Sequence, residues 1–297
     1  NQAVLIEMER SRAYFFGIEI WAKEVYYLSG MLILAAIGLF FVTSLLGRVW
    51  CGYACPQTVW TDLFVKVEQW IQGDHIARQR LDKAPLSFEK IWKKTATHLL
   101  WIVIGLCTGG AWTLYFTDAP TLIDNIIHFS VPWDTAFWIY GLTFSTYIMA
   151  GFAREQVCTY MCPYARFQSG MFDKDTLIIT YDAQRGEPRG SHKKGDSWDN
   201  RGACVDCKAC VQVCPVGIDI RDGLQYQCIA CGLCVDACND IMDKVDLPRD
   251  LIRYDTATNQ EARDACRNAG KSFTPAFKLL RPRSIYYALV IALVGGI

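Results

Sequence analysis

The 297-residue chain has no net charge, is 52% hydrophobic and has only 20% charged residues. This balance excludes the basic surface that attracts nucleic acid, and so apolar a composition excludes an ordinary soluble domain and points to contact with membrane lipid. Its 14 cysteines are clustered, which in a chain of this length points to metal binding before disulfides.

Residues 1–24 precede the first uncharged run and carry Arg10, Arg12 and Lys23. Val25 to Gly47 contains no charged residue and matches the roughly 20 residues needed to cross a bilayer. Thr95 to Thr117 and Thr135 to Ala153 are the second and third such runs. A fourth begins at Ser284 and stops with the chain at Ile297, too short to span. The chain starts at Asn1 and shows no signal peptide, so an earlier helix and a longer last helix are expected beyond its ends. Lys and Arg number eight between Arg48 and Lys94 and none between Asp118 and Asp134. The positive-inside tendency therefore places the first connection inside, the second outside, residues 1–24 outside, and everything from Arg154 to Arg283 in the cytoplasm.

Between the first two spans, Trp60, Leu63, Phe64, Val67, Trp70 and Ile71 recur at helical spacing, with Lys66, Glu68 and Gln69 on other faces. The stripe suits a helix in the membrane interface or one packed on a protein neighbour. Tyr181 to Gly202, rich in Gly, Arg, Lys, Asp and Ser, predicts a flexible linker. Residues 203–250 then form the cysteine-rich module, and 251–297 lead back to the bilayer. With 25–180 as the membrane part, the expected fold is an α-helical membrane protein carrying an inserted α+β two-cluster bacterial ferredoxin-like domain.

That module reads Cys204-x2-Cys207-x2-Cys210-x3-Cys214-Pro215, and repeats as Cys228-x2-Cys231-x2-Cys234-x3-Cys238. This is the bacterial run for two [4Fe–4S] clusters, in which three closely spaced thiolates hold one cubane and the fourth cysteine reaches the other. One cluster is expected on Cys204, Cys207, Cys210 and Cys238, the other on Cys228, Cys231, Cys234 and Cys214. Ala209, Ala230 and Gly232 are small enough for close backbone approach. Zinc ribbons lack the third and fourth cysteine of each run, and disulfides are disfavoured in the cytoplasm. Asn239 stands where the first run has Pro215, which alters the local turn and not the number of clusters.

Two further motifs follow the first and third spans: Cys51-Gly52-Tyr53-Ala54-Cys55-Pro56 and Cys158-Thr159-Tyr160-Met161-Cys162-Pro163. A spacing of four puts two thiols on one helix face, and the proline turns the chain. Together they can make a four-thiol site, and soft thiolates favour Cu(I). The bland alternative is buried structural cysteine. Met161 is a candidate extra ligand. His98 is a candidate contact for quinone or metal, or an anchor at the headgroups. Cys107 is expected in the core and Cys266 as a free thiol. His75, His128 and His192 show no partner pattern.

The run Arg48-Val-Trp-Cys51-Gly-Tyr-Ala-Cys55-Pro-Gln-Thr, the segment Tyr181-Asp-Ala-Gln-Arg-Gly-Glu-Pro-Arg-Gly and the run Cys214-Pro-Val-Gly-Ile-Asp-Ile-Arg-Asp-Gly-Leu-Gln resemble the cytochrome c oxidase accessory family CcoG, also called FixG or RdxA. The resemblance covers nearly the whole chain. It implies a bacterial inner-membrane protein with an additional early helix and a periplasmic β-sandwich after its last helix. It further implies reduction of Cu(II) to Cu(I) for assembly of cbb3-type oxidase, working with a cytoplasmic electron donor and copper-delivery and assembly proteins. Carried over by position, Cys51, Cys55, Cys158 and Cys162 would be the copper or redox thiols. Related membrane polyferredoxins are linked to quinol oxidation, so quinol dehydrogenase activity and a copper-binding assembly scaffold stand as alternatives.

Overall fold

The computed structural model describes every residue except 1, 9, 192–197, 199 and 297. Three helices among the described residues are long and apolar enough to cross a membrane: Ala22–Leu46, Phe88–Tyr115 and Trp133–Met161. Contacts divide the chain into two compact units, Asn1–Ile33 with Pro56–Val157 and Leu34–Cys55 with Cys158–Ile297.

The first unit begins with an antiparallel three-stranded sheet, β1 (Val4–Glu7), β2 (Arg12–Phe15) and β3 (Ile18–Trp21), paired in that order. Two short turns join the strands, with Ser11 and Phe16 in the left-handed region. This sheet occupies residues that hydropathy marks only as an outside segment. Helix α1 (Val25–Leu46) starts here. Helices α2 (Pro56–Gln72), α3 (His75–Lys83), α4 (Phe88–Thr108), α5 (Ala119–Ile127), α6 (Trp133–Ile148) and the short α7 (Arg154–Gln156) make up the rest.

A core of Phe64, Trp101 and Ala150 joins α2, α4 and the end of the third span, with the Phe64 and Trp101 rings stacked at 5.2 Å. The buried side of α2 is Phe64, Glu68 and Gln72. Glu68, expected on another face than the stripe, is buried because Arg78 and Arg154 pair with it, the latter at 2.6 Å. A buried carboxylate is tolerated only with such partners. Trp70 is exposed.

In the second unit, the latter half of α1 packs with α13 (Pro282–Gly295), where the Phe41 and Tyr287 rings lie 6.2 Å apart. This last helix has 14 residues, fewer than the roughly 20 needed to span a bilayer. Two strands far apart in sequence, β4 (Ile178–Tyr181) and β5 (Ile252–Asp255), pair antiparallel with Ile178 opposite Asp255. Helices α8 (Pro163–Gln168), α9 (Ala183–Gly186), α10 (Ala209–Gln212), α11 (Leu233–Lys244) and α12 (Ala257–Asn268) complete it. The core is Ile179, Tyr181, Ile220, Met242, Leu251 and Ile252 with buried cysteines among them.

The span 181–202, expected as a flexible linker, is anchored at its start. Tyr181 ends β4 and is buried, and Asp182 caps α9 and accepts from Arg253 at 2.7 Å and Arg267 at 2.6 and 2.9 Å. Residues 192–197 and 199, His192 among them, lie outside the described residues.

Candidate iron–sulfur and thiol sites

The two cysteine runs fold alike. In each, the residue before the second cysteine and the residue after it are left-handed: Asp206 (φ 52°) and Lys208 (φ 57°) in the first, Ala230 (φ 54°) and Gly232 (φ 82°) in the second. Alternating hands of this kind turn successive backbone N–H groups inward, the nest geometry of iron–sulfur sites. Burial pushes the Cys228 and Cys231 thiols up, and the nearby backbone N–H groups of Ala230 and Leu233 act against it. Arg221, almost fully buried, holds the first loop by donating to Asp206 and Asp219, each at 2.6 Å.

Two pockets result, each partly open to solvent. Cys204, Cys207, Cys210 and Cys238 line the first, with apolar walls from Ile241, Met242 and Leu251. Cys214, Cys228, Cys231 and Cys234 line the second, with Cys210 at its border. The fourth cysteine of each run therefore lies at the other run's pocket. Four soft donors lining an apolar pocket fit a cubane cluster. Burial pushes the Cys210 thiol up to about 11 and those of Cys234 and Cys238 to about 12. The bare thiols are thus neutral near pH 7, and cluster ligation releases their protons.

The first membrane-edge motif begins where α1 ends. Gly47 is left-handed (φ 62°), and a Cβ there would also run into the Leu177 carbonyl, so the position requires glycine. Arg48 then turns inward, donating to the Ala165 carbonyl at 2.7 Å. Trp50–Ala54 forms a widened helical turn closed by Cys55 N–H on the Trp50 carbonyl at 2.8 Å. Such turns are rare and cluster at functional sites. Cys55 is extended, as the residue before Pro56 must be. The second motif repeats this: Val157–Met161 is a widened turn, and Pro163 opens α8.

The second unit brings all four thiols into one neighbourhood. Cys51 interacts electrostatically with Cys55 and Cys162, and Cys158 with Cys51, Cys55 and Cys162. Burial pushes the Cys51 thiol up, against the hydrogen bond from Gln168 and the Arg48 charge. Gln168, fully buried on α8, donates its amide to the Cys51 sulfur at 3.2 Å. Among the described residues no three Cys, His, Asp or Glu side chains converge as ligands of a single ion do. The four thiols share a neighbourhood without forming a closed one-ion cage, and cubane ligands stand further apart still, each on its own iron.

Met161 is exposed. His98 is held in the first unit by the Tyr147 hydroxyl at 3.1 Å and the edge of Trp101. Cys107, expected in the core, is exposed on α4; Cys266 is half-buried on α12, and His128 caps its own helix through the Asp124 carbonyl. Sequence reasoning missed Arg48, Gln168 and Arg221 as site residues. Arg48 carried a signal, a cation directly after an uncharged span; for Gln168 and Arg221 the signal is tertiary.

A model of the 4Fe-4S dicluster domain matches residues 153–257, and a model of the 4Fe-4S binding domain matches residues 28–74. Paired cysteine pockets and membrane-length helices, with these two matches, define a membrane iron–sulfur electron-transfer protein. The chain is 51% identical over 273 residues to the nitrogen fixation protein FixG of Rhizobium meliloti, covering 91% of the chain and 52% of that protein. It is 48% and 47% identical to proteins RdxA and RdxB of Cereibacter sphaeroides, covering 99% of the chain and 61% of each. The chain belongs to the FixG/RdxA family, and it spans between about half and three fifths of the length of these relatives. No solved structure matches it.

Proposed function

We propose that this protein reduces Cu(II) to Cu(I) in support of cbb3-type oxidase assembly, using two [4Fe–4S] clusters on the eight paired cysteines and receiving copper at Cys51, Cys55, Cys158 and Cys162. It sits in the bacterial inner membrane with the cysteine module on the cytoplasmic side, in keeping with eight Lys and Arg between residues 48 and 94. One observation supports this reading above the others: the Cys51–Cys55 turn lies on the loop of the second cysteine run, with Tyr53 donating to the Cys231 carbonyl at 3.0 Å. The clusters, when bound, supply electrons one at a time, which is what Cu(II) needs to become Cu(I).

The chain's own residues do the rest. Thiolates bind Cu(I) in preference to harder ions and so favour the reduced product. Cys51 loses its proton as copper arrives, and the Gln168 amide and Arg48 charge stabilise the thiolate left behind. A separate cytoplasmic protein or small reductant supplies the electrons, and copper-delivery and assembly proteins take the product.

The test is anaerobic. Protein reduced with dithionite and freed of reductant is given Cu(II), while cluster absorbance and a Cu(I) chelator are followed together. Cluster reoxidation matched by Cu(I), and lost in the double variant Cys51→Ala/Cys158→Ala at unchanged iron content, is the expected result. Reduced clusters that ignore Cu(II) and equilibrate with a quinone analogue would overturn it in favour of quinol oxidation. Copper binding that leaves the clusters reduced would favour an assembly scaffold.

A further inference from the structure

The two C-x3-C-P turns share a backbone form, yet the residues between their cysteines behave differently. In the second, Tyr160 and Met161 are exposed. In the first, the Tyr53 ring is exposed too, but its hydroxyl and the Gly52 backbone meet a particular loop. A Cβ on Gly52 would come within 2.9 Å of the Ile229 carbonyl oxygen and 3.0 Å of that of Ala230, so only glycine fits. The Tyr53 hydroxyl donates to the Cys231 carbonyl at 3.0 Å and lies 2.9 Å from the Tyr254 hydroxyl. Tyr254 in turn donates to the Ala230 carbonyl at 2.8 Å. Arg48 stacks its guanidinium 5.0 Å from the centre of the Tyr226 ring. Every carbonyl touched by Gly52 and the two tyrosines belongs to Ile229–Cys231. No residue from 48 to 55 lines either pocket, but the carbonyls that Gly52 and the tyrosines meet belong to the loop that carries Cys228 and Cys231 of the second, whereas Cys207 of the first is exposed.

We infer that Gly52 and Tyr53 are positioning residues that seat the Cys51–Cys55 turn on the Cys228–Cys231 loop. The second pocket therefore serves the membrane-edge thiols, and the first, with Cys207 at the surface, faces the one-electron donor. This rests on the cluster assignment proposed above and gives the module a direction, from the first pocket to the second.

The experiment uses the whole protein with its iron–sulfur content reconstituted, titrated redox-wise without copper and read by electron paramagnetic resonance. Cys231→Ser marks which signal belongs to the second pocket. In Tyr53→Phe, that signal's midpoint potential shifts while the other stays put, because hydrogen bonding around the sulfurs sets potential. Gly52→Ala is expected to do the same. Tyr254→Phe replaces it if the glycine variant loses iron. A shift confined to the other signal, or no shift in either tyrosine variant, overturns the seating. With copper added, Tyr53→Phe slows Cu(I) formation roughly tenfold at unchanged iron, the scale on which outer residues tune a metal site. A wild-type protein that makes no Cu(I) would sink the copper reading and leave the potentials to decide the seating.

Discussion

At the scale of single residues, Asp182 shows how much a small polar group can anchor. It is nearly buried, and burial alone would raise its carboxyl; hydrogen bonds from Arg267, the Arg185 N–H and Arg253 instead hold it well below the usual carboxylate range. A carboxyl lowered in the folded state contributes stability that is full above its unfolded value of about 3.9 and lost as pH falls through the lower folded value. Asp182→Asn leaves two guanidinium groups short of a partner and is expected to cost about 3–5 kcal/mol near neutral pH. Urea denaturation of the detergent-solubilised protein checks this. The gap between variant and wild type should begin to narrow below about pH 4, where the unfolded carboxyl takes a proton, and close only as pH falls through the lower folded value. A gap independent of pH would mean the ion pairs are not what the substitution removes. Nothing in the sequence around residue 182 marks it, because its partners lie about 70 and 85 residues further on.

At the scale of elements, α4 and α6 approach so closely that small residues are required between them. A Cβ on Gly109, just past the end of α4, would meet Thr146 and lie 2.7 Å from the Leu142 carbonyl, whereas one on Gly105 would lie 3.2 Å from the Thr143 carbonyl. Small residues four apart allow such contact between spanning helices. Gly109→Ala is therefore expected to lose about 1–3 kcal/mol through overpacking, and Gly105→Ala clearly less. Thermal unfolding in micelles ranks the two, and equal losses would refute the geometric argument. The spans themselves were legible, since a charge-free run of bilayer length can bury its side chains in lipid and seldom finds enough protein to cover them. The pairing of β4 with β5 was not, because four-residue strands separated by more than 70 residues leave no local pattern. The widened turns at Cys51 and Cys158 were half legible: each proline signalled a break, but the extra residue in the turn is set by what the chain must reach.

At the scale of the whole module, spacing alone made the eight paired cysteines legible, because a cubane needs thiolates at fixed intervals along a tight loop. The exchange of fourth cysteines carries a sharp prediction. Cys238→Ser should cost the cluster of the first run, and Cys214→Ser that of the second. Iron and sulfide analysis would show each variant with roughly half the wild-type content. The reverse assignment in marker spectra would show that each run closes on itself. What spacing could not convey is the polar surround: Arg221 at the first loop, and Gln168 and Arg48 at the membrane-edge turn.

Cys210 lines the first pocket and borders the second. Two clusters held in these pockets would share one residue as a wall and would not be charged independently. An electron placed on one raises the electrostatic cost of placing another next door, and the effect is strong where water is scarce. Such a pair would fill and empty like two coupled capacitors, in separated steps instead of one. A module built this way favours handing over single electrons, and an acceptor that takes only one at a time is the natural consumer of such a discharge.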